Sequence, residues 1–367
     1  MLTLLVAFGV SLGLTLLIVA MAQRHSHFFN DHDLSGPQKF HARPVPRVGG
    51  IGIVAGVMAG LLLVFWRDRA LGLQGLVLLA CGVPAFLAGL SEDITKQVSA
   101  RRRLFFTAVS AVLAVWLVQA VIVRTAIPGL DWLVSFSGGA AVVTVFVVAG
   151  VANSLNIIDG FNGLASMCGV LILGCLAYVG IQVADPLVTL LALAGIGAML
   201  GFFVWNFPAG LIFLGDGGAY FIGFYVAEVA ILLLHRNPQV SPMFPLLLCI
   251  YPVFETVFSM YRKRILRGMS PGVPDGVHLH MLVYRRLMRW AVGNQSAKAL
   301  TRRNSMTSPY LWMLCMTAVV PAVLFWDNTP VLAAFVLLFG ITYVALYWRI
   351  VRFKAPRWLV FRRPDRT

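Results

Sequence analysis

Five stretches of this chain carry side chains able to hold charge, a phosphate or a metal. Residues 151–163, VANSLNIIDGFNG, hold Asn153, Asn156, Asp159 and Asn162 together with Gly160 and Gly163, between apolar runs at 132–150 and 164–182. A carboxylate and three amides between two bilayer-length runs are costly unless water, a ligand or a metal meets them. Asn, Asp and Gly are also ordinary turn residues, so a plain polar loop is the alternative. In FPAGLIFLGDGGAYFIGF (207–224), Asp216 sits among small neighbours that let a ligand or metal reach the carboxylate and the nearby backbone N–H groups. A dipole-favoured helix cap would explain the acid but not the four glycines of 210–218. GLSED (89–93) ends an apolar run on the pair Glu92-Asp93, which could hold a metal, orient a base or act as one, or be solvated charge. SPGVPDGVHLHMLVYRR (270–286) carries His278 and His280 at i, i+2. HARPVPRVGG (41–50) adds Arg43 and Arg47, placed to meet a phosphate or to anchor the chain at the membrane surface.

These residues need elements to position them, and composition says which kind. Of 367 residues, 59% are apolar and 12% charged, against about 45–50% and about 25% in an ordinary soluble domain. Apolar runs of bilayer-spanning length recur at 1–22, 48–66, 73–90, 104–122, 132–150, 164–182, 187–205, 219–235, 243–260, 309–326 and 330–348. The expectation is an all-α, polytopic membrane bundle of about eleven spans, one integral membrane domain over 1–367. The first run has no basic residue before it and is read as a span rather than a signal peptide.

Connections 23–47, 91–103, 151–163, 206–218 and 261–308, with the tail from 349, hold 25 of the 29 Lys and Arg residues. That bias puts them in the cytoplasm and the N-terminus in the periplasm, with the C-terminus inside. All the chemistry-bearing stretches then share one face. The net charge of +15 reflects this membrane bias rather than nucleic-acid binding. Arg101–Arg103 and the tail bases read as lipid-headgroup anchors, and the acids of the other loops, Asp68, Asp131, Asp185 and Asp327, as solvated surface. The five cysteines lack ligand spacing and read as small core residues. Glu255 is placed as a partner of Arg262–Arg264, and Glu228 is left without a role.

Acids, amides, bases and a histidine pair on one membrane face suit a multiply anionic substrate bound with Mg²⁺. That ion takes one or two carboxylates plus phosphate oxygens; Mn²⁺ is the substitute the same oxygen donors would accept. Hard oxygen donors elsewhere make the histidines phosphate contacts rather than metal ligands. An inward-facing membrane site implies one soluble partner and one lipid partner. A secondary transporter with coupling-ion acids near broken helices is the rival reading, and a non-catalytic scaffold a third.

NSLNIIDGFNGLA (153–165), FLGDGGAYFIG (213–223), GLSED (89–93) and the HLH loop (278–280) together resemble the polyprenyl-phosphate N-acetylhexosamine-1-phosphate transferase superfamily, over about residues 40–290. The resemblance implies transfer of a sugar 1-phosphate from a UDP-N-acetylhexosamine to undecaprenyl phosphate, with UMP released, to initiate a cell-surface polysaccharide such as an O-antigen. It also implies an inner-membrane location, a cytoplasmic site and a homodimer. It casts Asn156 and Asp216 as Mg²⁺-site residues, Asp159 as a nucleotide-side contact, and Phe213 as the aromatic stacked on uracil. Asn162 would read the uracil. Asn153, Arg43 and Arg47 are counted with it as substrate contacts. Glu92 and Asp93 would lie near the attacking lipid phosphate, and His278 and His280 at the diphosphate. Two departures stand out: Glu92 where Asp is usual, and Met281 where a further His is common. The loop is also unlike the triple-His segment of the muramoyl-pentapeptide branch, which points to the N-acetylglucosamine-type branch or a relative using another UDP-N-acetylhexosamine.

Overall fold

The computed structural model describes residues 1–24, 45–270, 276–288 and 297–352. Arg43 and the tail bases beyond 352 lie outside the described residues. Fifteen helices are used below. They are α1 (Leu2–Arg24), α2 (Gly50–Arg67), α3 (Arg69–Cys81), α4 (Val83–Thr95), α5 (Ala100–Leu117), α6 (Pro128–Val134), α7 (Ser137–Ile158) and α8 (Leu164–Gln182). They continue as α9 (Pro186–Asn206), α10 (Gly215–Arg236), α11 (Met243–Leu248), α12 (Ile250–Tyr261), α13 (Leu279–Leu282), α14 (Ala297–Leu324) and α15 (Thr329–Val351). No strand occurs among the described residues.

Each apolar run of the sequence becomes a helix or a pair of helices, but the number of clean spans is smaller than eleven. Among the described residues, eight helices are long and apolar enough to cross a membrane, and nine if the bent pair α3–α4 counts as one. The two other runs fail for visible reasons. α5 is 18 residues long and opens on three arginines. The run 243–260 is split at Cys249 into α11 and α12. Pro245 and Pro252 flank that split, and Pro84 opens α4 after the 41° bend at Gly82. Proline removes a backbone donor and crowds the preceding turn, so a long apolar run bends there.

α10 is the axis of the bundle. It is buried on every side, whereas α1 and α15 bury only one narrow face. α10 packs against α2, α4, α5, α7, α8 and α9. α1 meets α2 and α9 through a stripe of small residues, Thr3, Ala7, Ser11 and Thr15 at every fourth position. Small residues let apolar helices approach closely where no water drives them together.

The loop acids are more structural than their sequence suggested. Asp68 caps α3, accepting from the N–H groups of Ala70 and Leu71, both at 3.0 Å. Asp131 accepts from the Thr125 N–H and hydroxyl at 2.6 and 2.8 Å. Asp185 is buried, caps α9, and ion-pairs with Arg236 at 2.7 Å. Only Asp327 is plain exposed charge of the four. The five cysteines are all buried and free, as expected of core residues.

Candidate functional site

The site is built around the first turn of α10, and that turn is capped from elsewhere. An α-helix starts with backbone N–H groups that have no partner inside the helix. Leu214 stands at the cap position and offers no side-chain bond. Asp93, at the end of α4, supplies both oxygens instead: Oδ1 accepts from the Asp216 N–H and Oδ2 from the Gly217 N–H, each at 2.9 Å. Asp216 is therefore not needed as a cap, and its carboxylate turns into a pocket.

Two features bring the neighbouring segments close enough. The stretch 46–50 runs alongside 213–214: the Phe213 N–H donates to the Pro46 carbonyl at 2.9 Å. Gly49 and Gly50 donate to the Phe213 and Leu214 carbonyls at 3.0 Å. That register sets Arg47 beside the carboxylates, its Nη2 3.9 Å from Asp216 Oδ1 and its Nε 3.9 Å from Asp93 Oδ1. Gly215 has φ of 75° and its backbone faces the Arg47 carbonyl and Asp93, leaving no room for a Cβ. Gly217 and Gly218 serve packing rather than ligand access, since their Cα positions lie against the backbones of α4 and α2.

α7 delivers two asparagines to two residues one turn apart on α10. Asn156 Nδ2 donates to Asp216 Oδ1 at 2.8 Å, and Asn153 Oδ1 accepts from the Tyr220 hydroxyl at 3.3 Å. The spacing i, i+3 on one helix against i, i+4 on the other makes this a ladder. Its upper rung reaches the pocket and its lower rung lies beneath it. Arg103, in the first turn of α5, ion-pairs with Asp216 Oδ2 and lies 5.6 Å over the Tyr220 ring.

The resulting pocket, about 370 Å³, is lined by Arg47, Arg103, Asn156, Asp159, Phe213 and Asp216 on one side. Ile157, Gly160, Phe161, Asn162, Asn206, Leu214, Gly215, His278, Met281 and Asn304 complete it. Asp159 terminates α7, and the loss of hydration there pushes its carboxyl up to about 7. Asp93 adds to that shift and Arg47 opposes it.

The turn 159–163 is held from below by α14. Asn304 Oδ1 accepts from the Asn162 N–H at 2.8 Å, and Ser308 Oγ donates to the Asn162 carbonyl at 2.6 Å. Trp312 Nε1 donates to the Gly163 carbonyl at 3.2 Å. The Asn162 amide donates in turn to Ser305 Oγ at 3.1 Å. Asn206 Oδ1 accepts from the Gly163 N–H at 2.5 Å.

Of the residues singled out from the sequence, Arg47, Asn156, Asp159, Asn162, Phe213, Asp216 and His278 line this one pocket. Asp93 does not line it and reaches it through the backbone it caps and through Arg47. Glu92 does not line it; its Oε2 accepts from the Val98 N–H at 2.7 Å, six residues on. Asn153 lies one turn below, on Tyr220. His280 is fully buried behind Phe161, with ring centroids 5.7 Å apart. Glu255 does not pair with the bases that follow it: its Oε1 faces His278 Nδ1 at 3.0 Å.

Arg103 was hidden in a triplet of arginines. A signal was present, because Arg103 falls on the same helical face as Thr107, Ser110, Ala111 and Ala114, the buried stripe of α5. Asn304, Ser305, Ser308 and Trp312 mark a comparable stripe on α14, at i, i+1, i+4 and i+8.

Residues 75–234 match the model of glycosyl transferase family 4. The chain is 28% identical to a probable undecaprenyl-phosphate N-acetylglucosaminyl 1-phosphate transferase of Bacillus subtilis, covering 80% of each chain. It is 28% identical to an undecaprenyl-phosphate alpha-N-acetylglucosaminyl 1-phosphate transferase of Thermotoga maritima, over 70% of this chain and 74% of that one. A phospho-N-acetylmuramoyl-pentapeptide-transferase of Bacillus cytotoxicus is 27% identical over 62% of this chain and 73% of its own.

Proposed function

From the match of residues 75–234 to the family model and the likeness to the relatives named above, we propose that the chain belongs to glycosyl transferase family 4 and transfers an N-acetylhexosamine 1-phosphate from a UDP-sugar to undecaprenyl phosphate. An oxygen of the lipid phosphate forms a bond to the β-phosphorus of the UDP-sugar. The bond from that phosphorus to the bridging oxygen breaks, UMP leaves with the oxygen, and a polyprenyl-diphosphate sugar remains. The observation that carries the reading is the meeting of Asn156 and Asp216 at 2.8 Å in one pocket with Arg47, Arg103, Asp159 and His278.

Arg47 and Arg103 offer planar, permanently charged donors to phosphate oxygens. In the present arrangement they neutralise Asp216, so an incoming diphosphate would compete for the same guanidinium groups. His278 supplies a further donor to the same pocket. Phe213 and Asn162 face the pocket together, as a base-stacking ring and an amide would.

The donor set also fits Mg²⁺: the Asp216 and Asp159 carboxylates and the Asn156 amide oxygen are hard ligands, and the substrate's own phosphates would complete the shell. When bound, the ion would neutralise charge that develops as the phosphoryl bond breaks. Asn156 Nδ2 now donates to Asp216, and rotation of the amide would present its oxygen instead.

The Lys and Arg bias supports a cytoplasmic site in a bacterial inner membrane. An ion-coupled transporter finds no support among the relatives named above. The deciding assay supplies UDP-N-acetylglucosamine, undecaprenyl phosphate and Mg²⁺ to membranes holding the protein. UMP release and an extractable lipid-linked sugar are expected, both lost on omitting either substrate. UDP-sugar crossing sealed vesicles with no lipid product would overturn the reading. A panel of other UDP-sugars then names the donor.

A further inference from the structure

The family reading uses His278 but says nothing of what holds it. Glu255 lies in the middle of α12 with its side chain 1% exposed. Burying a carboxylate costs several kcal/mol unless hydrogen-bond donors meet it, and the donors here belong to one short segment. Oε1 accepts from the Leu279 N–H at 2.9 Å and faces His278 Nδ1 at 3.0 Å. Oε2 lies 3.9 Å from His280 Nδ1. The two imidazole rings are parallel within 6°, with centroids 5.2 Å apart.

The helix grips the same segment a second time: Arg262, one residue past α12, donates through Nη1 to the Val277 carbonyl at 2.6 Å. Residues 277–279 are thus clamped from both ends by α12, and α12 itself packs on α7, which carries Asn156 and Asp159. α12 thus couples the His278 segment to the helix that carries Asn156 and Asp159.

A carboxylate can only accept, so Nδ1 of His278 must carry a proton, and that fixes the ring's other nitrogen as the one left for the pocket. The geometry points to Glu255 as the positioning residue of the site: it sets the tautomer and the orientation of His278 so that Nε2 meets the substrate diphosphate. Glu255 touches no substrate itself. A merely structural carboxylate would require only that something polar fill its place. A positioning one requires an acceptor oxygen at the Oε1 position.

That difference is testable, and the test rests on the transferase reading only in its kinetic half. E255Q keeps an acceptor at Oε1, while E255A removes it. With wild-type turnover established, E255A is expected to lose about 10- to 100-fold in kcat, and E255Q to recover most of it. KM for the UDP-sugar should move less than kcat in both. H278A should be as slow as E255A or slower, and the double variant no slower than H278A, because the two residues act as a unit. Multiplying losses in the double variant, or E255Q as damaged as E255A, would overturn the positioning role.

The second half needs no turnover. In ¹⁵N-histidine spectra of the full chain, with H278A to assign the signal, His278 should be protonated at Nδ1 in wild type and in E255Q. Should E255A fail to fold, wild type and E255Q still decide the matter. A His278 protonated at Nε2 alone in wild type would refute the proposal whatever the enzyme does. Absence of UMP release from wild type, beside the expected spectrum, would instead sink the transferase reading and leave the positioning intact.

Discussion

At each end of α10 an aspartate meets an arginine, and the two pairs are built to opposite purposes: Asp185, the cap of α9, holds Arg236 at one end, and Asp216 of α10 itself stands at the other. At the far end, Asp185 has every oxygen committed to its own fold. Oδ1 accepts from the backbone N–H groups of Leu187 and Val188, at 3.1 and 3.2 Å. Oδ2 accepts from Arg236 Nε at 2.7 Å and Asn237 Nδ2 at 3.1 Å. At the near end the two duties are split between residues. Asp93 takes the backbone N–H groups, so Asp216 is left with side-chain partners alone: Asn156, Arg103 and Arg47. Backbone partners cannot leave without unwinding a helix, whereas side-chain partners can exchange for a phosphate or a cation. Division of labour between Asp93 and Asp216 is what makes one end a site and the other a fastening.

The comparison breaks most directly at the two aspartates. D216A should lose roughly 10³-fold or more in UMP release, with little change in thermal stability. D185A should do the reverse, leaving turnover near wild type while losing about 1–2 kcal/mol of stability, the usual worth of a helix cap. Comparable activity losses in the two variants, measured in the same membranes, would erase the distinction. Arginines give the next largest contrast. R103A is expected to slow turnover about 10- to 100-fold and R103K to restore only part of it, because a point charge cannot reproduce the guanidinium fork. R236A should leave the rate alone.

Asp93 falls between these extremes and sharpens the argument. D93A removes the cap that frees Asp216, so it should lower both stability, by about 1–2 kcal/mol, and rate. D93N, which keeps acceptor capacity, should retain more of each. If D93A slowed the reaction with thermal stability unchanged, Asp93 would be acting on substrate, as the family resemblance implied, rather than on the α10 backbone.

The frame of this molecule was legible because bilayer-length apolar runs and their charge-rich connections are local signals. Even the breaks at Gly82 and Cys249 had prolines beside them, although the sequence reading carried its spans straight through. Asp216 and Asn156 were legible as chemistry from their glycine-rich and amide-rich surroundings. What could not be read was partnership across the chain. Asp93 looked like one of an acidic pair because its backbone partners lie 123 and 124 residues away. Arg103 looked like an anchor because only the helical phase of α5 separates it from Arg101 and Arg102. Glu255 was matched to the bases nearest in sequence, while its real partners, His278 and Leu279, come from across a loop.

The smallest expected effect concerns Asp159, which belongs to neither pattern: it sits in the pocket, its carboxylate holds no ion pair among the described residues, and Arg47 acts on it only through its charge. Its carboxyl is raised from the ordinary 3.8 to about 7 by loss of hydration. The folded protein therefore binds a proton here that the unfolded chain has released between about pH 4 and pH 7. Stability contributed by this group is full below the unfolded value and is lost as pH rises through that window. D159N should flatten that part of the stability profile, seen as a thermal midpoint that falls less than wild type between pH 4 and 7. Nucleotide affinity should run the other way if Asp159 acts as an anionic ligand to a metal–nucleotide complex. Binding of UMP with Mg²⁺ should then strengthen as pH rises toward 8, with a one-proton slope absent from D159N. Affinity that is flat with pH in wild type would place Asp159 with Asp185, as a carboxyl kept for the fold, and leave Asp216 as the pocket's working anion.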